Sequence, residues 1–397
     1  MTRARVLFLF ALSWPALGET SLDALRTALL SLRVGPAELG ATRRATPQLT
    51  VAKHALRDWV ESQLPALAQR GDEGALARNL NAELRNAKLF CGEDPKCPDW
   101  TEMGFLEEIK LWRSGVFLIV QTGVGIDQCG FDESAYLYSW SAEGWKRVWQ
   151  TEQNTYTDKE YKPQILHSVL VSPYNRSNDY LLLTLGYNPW CTSNWQSLYY
   201  RIFRPGPDLE SKPLLDTEEL AFVPGDAQGS VISNEALVEF HNQSIDTGVL
   251  VRTAVRHFQI EHDQVKRIDP LALTPRDFVD EWLTHEWKEV AFWSESANRR
   301  AMRQQHTKLH QIPVFGEFAY PPTMHCPQTP DLWQVGVYFS EPPQAKGAEP
   351  QPTYFVVRWR PPYHFTMVNV TGQVSPACSE EDPAADEDRT LFPLRRQ

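Results

Sequence analysis

The chain has 397 residues, enough for one large domain or two of ordinary size. Charged residues make up 22% of the sequence, and the formal net charge at pH 7 is −11. A surface with this excess of negative charge repels phosphate backbones, which argues against general nucleic-acid binding.

The first residues have the pattern of a secretory signal. Two arginines precede a short apolar run, and a small-x-small sequence ends at Gly18. This pattern predicts a signal peptide over residues 1–18, cut before Glu19. The apolar run is too short for a membrane span, which needs about 20 residues. We therefore expect an exported protein with no transmembrane segment after cleavage, located in the periplasm, at the cell surface or outside the cell.

Residues 19–90 contain two segments with apolar residues at helical spacing. In the first segment, Val51 and Trp59 recur on one face, with Thr50 in the N-cap position. The second segment begins after Asp72, another residue typical of an N-cap. We expect two amphipathic helices that pack on each other or cover one end of the structure that follows.

From about residue 103 the sequence changes to short runs rich in β-branched and aromatic residues, separated by turn residues. Ser168 and Ser230 are 62 residues apart, and Cys129 and Cys191 have the same separation. The shared offset predicts an internal repeat with four consecutive strands in each copy. We assign three such antiparallel meanders to residues 91–273.

The remaining sequence predicts three further regions. A capping-box-like pair, Thr274 and Asp277, starts a helical insertion at 274–311. A divergent β unit follows at 312–378, and the acidic residues 379–397 are typical of a disordered tail. The expected fold is mainly β, built from repeated four-stranded antiparallel meanders in a small or irregular β-propeller, with a β-sandwich as the alternative.

Six cysteines in an oxidising compartment favour three disulfides. Corresponding loops of adjacent repeats lie side by side in a radial stack, so we pair Cys129 with Cys191. The other two pairs follow by elimination: Cys91 with Cys97, and Cys326 with Cys378. Zinc would need paired C-x2-C motifs or nearby histidines, so we predict no metal at these cysteines.

Acidic residues supply the enzymatic alternative. We place Asp127, Asp132 and Glu133 in the loop between the second and third strands of the first repeat, and Glu239 in the third repeat. Two carboxyl groups about 5 to 10 Å apart can hydrolyse a glycosidic bond. Sequence spacing does not fix that distance, and acidic loop tips are usually solvated. An extracellular glycoside hydrolase is therefore the second hypothesis.

Other motifs do not indicate catalysis or a cofactor. Gly123 and Gly125 lack the third glycine and the following helix of a dinucleotide site, so we interpret them as a hairpin bend. His306 and His310 have the spacing of a helical zinc site, but Thr307 stands where a zinc protease has glutamate. We expect these histidines in an exposed basic helix end. The sequence contains no G-x-S-x-G nucleophile motif and no D-x-D-x-D-G calcium loop.

The aromatic residues of the second repeat support the first hypothesis. Tyr187, Trp190 and Trp195 follow its second strand, beside asparagine and glutamine residues. Exposed aromatic rings can stack on sugars or anchor a protein partner, although they can also cover the end of a sheet. The leading hypothesis is an exported, non-catalytic binding or scaffold protein that uses these acidic and aromatic loops. Its ligand would be a glycan, a peptide or a protein.

Overall fold

A computed structural model of the chain divides into two compact units, Met1–Pro163 and Gln164–Gln397. The predicted signal peptide, residues 1–18, lies outside the described residues. None of the helices in the described part of the chain is long and apolar enough to cross a membrane. The structure describes residues 22–33, 46–91, 104–127, 130–152, 165–175, 179–188, 193–245, 251–310, 320–339, 352–378, 380–382, 385 and 391.

The first unit combines three helices with one antiparallel sheet. The strands follow one another in the sheet in sequence order. The elements are α1 (Leu22–Leu32), α2 (Thr46–Gln63), α3 (Glu73–Asn86), β1 (Lys110–Ser114), β2 (Phe117–Asp127), β3 (Gly130–Ser141) and β4 (Gly144–Thr151).

The helices and one face of this sheet share an apolar core. Asp72 is the N-cap of α3, as predicted, and its side chain accepts a hydrogen bond from Ala75 N at 2.8 Å. The predicted start of the preceding helix is wrong, because α2 begins at Thr46 and not after Thr50. Val51 is 58% exposed, and the buried face of α2 contains Leu49, Ala52, Lys53, Leu56, Trp59 and Val60. The buried face follows the spacing of Leu49, Ala52, Leu56 and Trp59, so the prediction assigned Val51 to the wrong face of the helix.

Buried polar groups join α2 to the sheet. Lys53 Nζ lies 3.1 Å from Asp132 Oδ2, and both side chains are almost fully buried. One turn later, Arg57 Nη1 lies 3.0 Å from Glu152 Oε2, which also accepts a hydrogen bond from the Tyr136 hydroxyl at 3.0 Å. Each carboxylate is therefore paired with a cation from the helix, as buried charges must be.

The second unit begins with two four-stranded antiparallel meanders, each again in sequence order. Sheet 2 contains β5 (Ile165–Val171), β6 (Leu182–Tyr187), β7 (Trp195–Phe203) and β8 (Leu215–Phe222). Sheet 3 contains β9 (Gln228–Ile232), β10 (Glu235–Gln243), β11 (Val251–Glu261) and β12 (Gln264–Arg267). Ser168 and Ser230 both lie in the first strand of their meander, as the repeat predicts. The predicted fold class, mainly β with repeated four-stranded antiparallel meanders, is confirmed.

Sheets 2 and 3 share one apolar core, with Leu183 and Leu198 on one side and Val238 and Phe240 on the other. The backbone of β9 approaches sheet 2 closely. A Cβ at Gly229 would lie 3.1 Å from the side chain of Leu183, so a larger residue there would require leucine side chains of sheet 2 to shift by a few tenths of an ångström.

Three helices and a fourth sheet complete the second unit. The helices are α4 (Pro275–Thr284), α5 (Trp287–Val290) and α6 (Arg299–Leu309). Sheet 4 has the strand order β16-β15-β14-β13-β17, with β13 (Met324–His325), β14 (Leu332–Val337), β15 (Thr353–Arg360), β16 (His364–Thr371) and β17 (Glu380–Glu381). Helix α4 begins at the predicted cap, since the Thr274 side chain accepts a hydrogen bond from Asp277 N at 3.1 Å. Phe278 and Trp282 of this helix pack on Phe365 and Phe355 of sheet 4, with ring centroids 5.5 and 5.8 Å apart.

A disulfide bond joins Cys326 to Cys378, which confirms one of the three predicted pairs. Cys91 is also disulfide-bonded. Cys97, Cys129 and Cys191 lie outside the described residues, so the other two pairings stay predictions.

The acidic tail is not disordered throughout. Glu380 and Glu381 form β17, which pairs with β13 next to the Cys326–Cys378 bond. At these two residues the prediction from composition is wrong, because a strand pairing and the nearby disulfide hold this part of the chain against the sheet.

Candidate functional site

The structure places two of the predicted site acids in a strand and not in a loop. Asp132 and Glu133 belong to β3, and they pair in register with Val124 and Gly123 of β2. Both are buried. Asp132 contacts Lys53, as described above, and Glu133 Oε2 accepts a hydrogen bond from Gln121 Nε2 at 2.9 Å. The loop prediction was wrong because the β2–β3 hairpin extends further than its glycines suggested.

Gly123 and Gly125 lie inside β2 and do not form a hairpin bend. A Cβ at Gly123 would lie 2.8 Å from the carboxylate of Glu107, so the glycine makes room for a neighbouring side chain. Glu239, the other predicted acid, is buried in β10 and accepts a hydrogen bond from Leu391 N at 2.7 Å. These contacts favour structural roles for the described acids.

The predicted aromatic residues lie at strand ends. Tyr187 ends β6 and Trp195 begins β7, and both are half-buried. The Trp195 ring packs on Phe222, with centroids 5.2 Å apart. Trp190 and the side chain of Asp127 lie outside the described residues. Ligand binding by these residues stays a prediction.

The second unit contains a cavity that the sequence did not predict. Its volume is about 1070 Å³, slightly above the range of about 300 to 1,000 Å³ that is typical of small-molecule binding sites. Strands β7, β8 and β10 to β12 form one wall, and α4, α5 and the end of α6 form the other. Its apolar lining comes from Leu215, Ile245, Phe258, Val265, Leu283, Trp293 and Leu309.

Three arginines in the cavity wall surround one carboxylate of α4. Glu281 Oε1 lies 2.7 Å from Arg252 Nη2 and 3.0 Å from Arg256 Nη1. Its other oxygen lies 2.7 Å from Arg267 Nη2. Burial alone would raise the pKa of Glu281, but these guanidinium groups outweigh it and hold the pKa well below its usual value. Glu281 is therefore ionised and links β11 and β12 to α4.

Glu219 of β8 lines the cavity and binds Arg256 through two contacts, of 2.7 and 2.6 Å. The Tyr200 hydroxyl also donates a hydrogen bond to Glu219. Burial would raise the pKa of Glu219, yet Arg256 outweighs it and lowers that pKa. Glu219 is thus ionised, and its carboxylate oxygens already bind Arg256 and Tyr200.

Asp280 lies next to Glu281 but behind the wall, because it is not among the residues that line the cavity. Its carboxylate accepts hydrogen bonds from the Tyr320 hydroxyl and from Ile245 N, and it lies 3.0 Å from Arg252 Nε. Burial raises the pKa of Asp280 to about 7, and the attraction of Arg252 offsets only part of this effect. It is the carboxyl group of the network that can be protonated near neutral pH.

His285 follows α4 and is held as a neutral imidazole. Its Nε2 accepts a hydrogen bond from Arg267 Nη1 at 3.0 Å, because a guanidinium can only donate. Nδ1 therefore carries the proton and donates to the Glu281 carbonyl at 3.0 Å. Burial lowers the pKa of His285 further. Both ring nitrogens are in use, so His285 is neither a free base nor a metal ligand.

The H-x3-H pair caps the end of α4. His306 Nε2 lies 3.1 Å from the Trp282 carbonyl oxygen, and His310 Nδ1 lies 2.7 Å from that of Leu283. These carbonyls belong to the last turn of the helix, where they lack partners within the helix. The prediction of an exposed helix end is wrong for His306, which is buried. Within the described ranges, no group of three or more His, Cys, Asp or Glu side chains is placed to hold a metal ion.

Exposed side chains line the open part of the cavity. Phe292, which follows α5, is 83% exposed. Near it in sequence, Lys288 and Glu289 also line the cavity, while Lys266 and Gln243 contribute from sheet 3. The cavity therefore combines an exposed aromatic ring with polar and charged groups around a largely apolar interior.

The carboxyl groups at the cavity have two different environments. Among the described residues, Glu219 and Glu289 line the cavity. Glu219 is ionised and paired with Arg256, and the carboxyl group with a pKa near 7, that of Asp280, is behind the wall. Glycoside hydrolysis needs a protonated carboxyl group beside the scissile bond.

One sequence signal could have indicated the cavity. Arg252 and Arg256 interrupt the apolar run "GVLVRTAVRHF", and their separation of four residues places both on one face of a strand. Two charges on the inner face of a strand need buried partners, which α4 supplies in Asp280 and Glu281.

Comparisons with known proteins do not identify a family. No protein-family model matches the chain, and no curated protein matches it. Among solved structures, it is similar to an α-L-arabinofuranosidase of glycoside hydrolase family 93 from Fusarium graminearum in complex with arabinobiose. That alignment has 8% identity and a TM-score of 0.27, and it covers 71% of this chain and 70% of the other. A thermostable family-43 glycoside hydrolase aligns with 6% identity and a TM-score of 0.18, covering 70% of this chain and 96% of the other. TM-scores this low support no inference about function.

Proposed function

We propose that the chain is an exported, non-catalytic binding protein whose ligand occupies the cavity of the second unit. The observation that carries the proposal is the cavity itself, with its exposed Phe292 and with ionised groups that contact one another. Export is supported by the Cys326–Cys378 bond, because disulfides persist in oxidising compartments.

Among the ligands expected from the sequence, a glycan fits this cavity best. Protein partners usually bind over broad surfaces, whereas a concave site of this volume encloses a small molecule. Phe292 offers a ring face for stacking, and Asn242 and Gln243 offer amide groups that can bind hydroxyls.

A glycan array first identifies the oligosaccharides that the protein, prepared without its predicted signal peptide, retains. The protein is then titrated with these oligosaccharides. We expect Phe292→Ala to weaken binding about tenfold, the loss typical of an aromatic residue central to an interface. Ile232→Ala is the matched control, because Ile232 is 59% exposed and is not part of the cavity wall. Equal affinity of the Phe292→Ala variant and the unmodified protein would contradict the proposal.

A glycoside hydrolase remains the alternative, and the same oligosaccharides test it. Incubation with the protein, followed by chromatography of the products, should return each bound oligosaccharide intact. Cleavage would replace the binding hypothesis with the enzymatic one.

A further inference from the structure

The lining of the cavity differs between its mouth and its interior. Apart from Phe292, the exposed residues of the lining are polar or charged, among them Gln243, Thr284 and Lys288. The aliphatic side chains of the lining are all buried or half-buried. A ligand that reaches the interior therefore leaves a polar rim and enters a region with much apolar surface.

On the side of the sheets, the apolar lining residues share one face. Phe258 pairs with Arg267 across β11 and β12, and Ile260 pairs with Val265. Alternate residues of a strand point to the same face, so Phe258, Val265 and Arg267 lie on the face of sheet 3 that packs on sheet 2. Val265 and Leu215 are only half-buried at the border of this shared core. The interior of the cavity thus continues the apolar core between the two sheets.

On the opposite side, the cavity borders the second apolar core of the unit. Leu283, Trp293 and Leu309 line the cavity and belong to the core that the helices share with sheet 4. Ile245, which is half-buried, packs against the same core. Two apolar cores therefore meet the cavity from opposite sides. An apolar group placed between them would remove apolar surface from water, which is favourable.

The charged side chains of the interior are engaged with one another. Glu219 binds Arg256, and Glu281 binds all three arginines of the wall, as described above. The carboxylates of both glutamates are therefore not available to sugar hydroxyls. The aliphatic side chains are the main part of the interior that a ligand can contact.

An alkyl chain fits this interior better than an aromatic ring does. The guanidinium of Arg267 lies 5.0 Å from the centroid of the Trp293 ring, and the His285 ring lies 5.5 Å from it. The Phe258 ring lies 6.0 Å from the ring of Tyr200. The aromatic side chains of the interior are thus already paired, whereas an aromatic ligand gains most from a free ring to stack on.

We infer that the glycan bound in this cavity carries an alkyl chain, as an acylated sugar does. The chain lies in the interior, in contact with Leu215, Ile245 and Val265, while the sugar binds at the mouth beside Phe292. The inference rests on the proposed function and adds the class of ligand to it.

The experiment compares glycosides that differ only in the group attached to the sugar. The methyl, hexyl and phenyl glycosides of each oligosaccharide retained on the array are titrated into the protein by calorimetry, at concentrations at which the probes stay monomeric. A fully buried methylene group improves affinity about fourfold, and the hexyl chain has about five more of them than the methyl group. We expect the hexyl glycoside to bind at least about tenfold more tightly than the methyl glycoside, and more tightly than the phenyl glycoside.

A pair of variants tests the location of the chain. Val265→Thr keeps the shape of the side chain but places a hydroxyl group in the interior, so binding of the hexyl glycoside should weaken about fivefold. Binding of the methyl glycoside should not change, which also shows that the variant is folded. The control is Val356→Thr, the same change at a half-buried valine of β15 outside the cavity wall. Equal affinity of the two variants for the hexyl glycoside would overturn the inference.

The outcomes separate the two proposals. Equal binding of the methyl and hexyl glycosides, or tightest binding of the phenyl glycoside, overturns the alkyl-chain inference and leaves the proposed function standing. Binding of 1-hexanol as tight as that of the hexyl glycoside would show that the sugar contributes nothing, and it overturns the proposed function. Failure to bind any of the probes overturns both.

Discussion

Replacing Glu281 by glutamine should destabilise the second unit strongly. The substitution keeps the size of the side chain but removes its charge and turns one oxygen into a donor. Arg252, Arg256 and Arg267 all approach this carboxylate within 3.0 Å, so the new amide group would face N–H donors. Removing one partner of a buried ion pair costs about 3 to 5 kcal/mol, because the remaining charge is buried without compensation.

We take about 4 kcal/mol as the expected loss, since Glu219 and Asp280 still compensate part of the charge. This is a large fraction of the 5 to 15 kcal/mol typical of whole domains. The assay is urea unfolding at pH 7, monitored by tryptophan fluorescence. The slope of the free energy of unfolding against urea concentration should be the same in the variant and the unmodified protein, so that the two unfold in the same way. Trp282 and Trp293 lie in the affected region.

The matched control is Glu289→Gln, an exposed glutamate that also lines the cavity. This control should unfold at the same urea concentration as the unmodified protein, because its charge is solvated in both states. A loss below about 1 kcal/mol for Glu281→Gln would refute the reasoning, since an ion pair worth so little is typical of exposed groups.

Two further outcomes follow from other contacts. The raised pKa of Asp280 means that the folded state binds a proton more tightly than the unfolded state, so its stabilising effect is complete below the unfolded pKa and is lost as the pH rises to about 7. The free energy of unfolding of the unmodified protein, measured with urea, should therefore fall between pH 5 and pH 7. This fall should be about 2 kcal/mol larger than in the Asp280→Asn variant. Parallel pH profiles of the two proteins would contradict this expectation. Cys326→Ser should lower the free energy of unfolding by about 4 kcal/mol, the value that the chain-entropy model gives for a separation of 52 residues. Calorimetry under non-reducing conditions measures this loss. An unchanged melting temperature would contradict the expectation.

The repeats could be predicted from the sequence because the strands and turns of a meander are visible in short stretches of sequence. The alternation of apolar and polar residues, and the turn residues between strands, can be recognised from neighbouring residues alone. The shared offset of Ser168 and Ser230 then indicated that one meander repeats the other. The caps at Asp72 and Thr274 were also predictable, since the capping hydrogen bond joins residues three apart.

The cavity could not be predicted in the same way. Its central contacts join Arg252 and Arg256 of one strand to Glu281, which is 25 residues or more further along the chain. Nothing local shows that α4 turns its charged residues towards sheet 3 while Phe278 and Trp282 of the same helix pack on sheet 4. The prediction for the acidic residues of β3 was wrong for a related reason. Asp132 is buried because it pairs with Lys53, which belongs to a helix far away in sequence.

The charged network itself is an argument for binding. Buried ion pairs often stabilise a protein no more than apolar residues of the same volume would, because desolvation offsets their attraction. Stability alone therefore does not explain three arginines, two glutamates and an aspartate packed between β8, β11, β12 and α4. A binding cavity whose wall must keep a fixed shape does explain them, since each guanidinium is held in place by contacts with carboxylates of neighbouring elements.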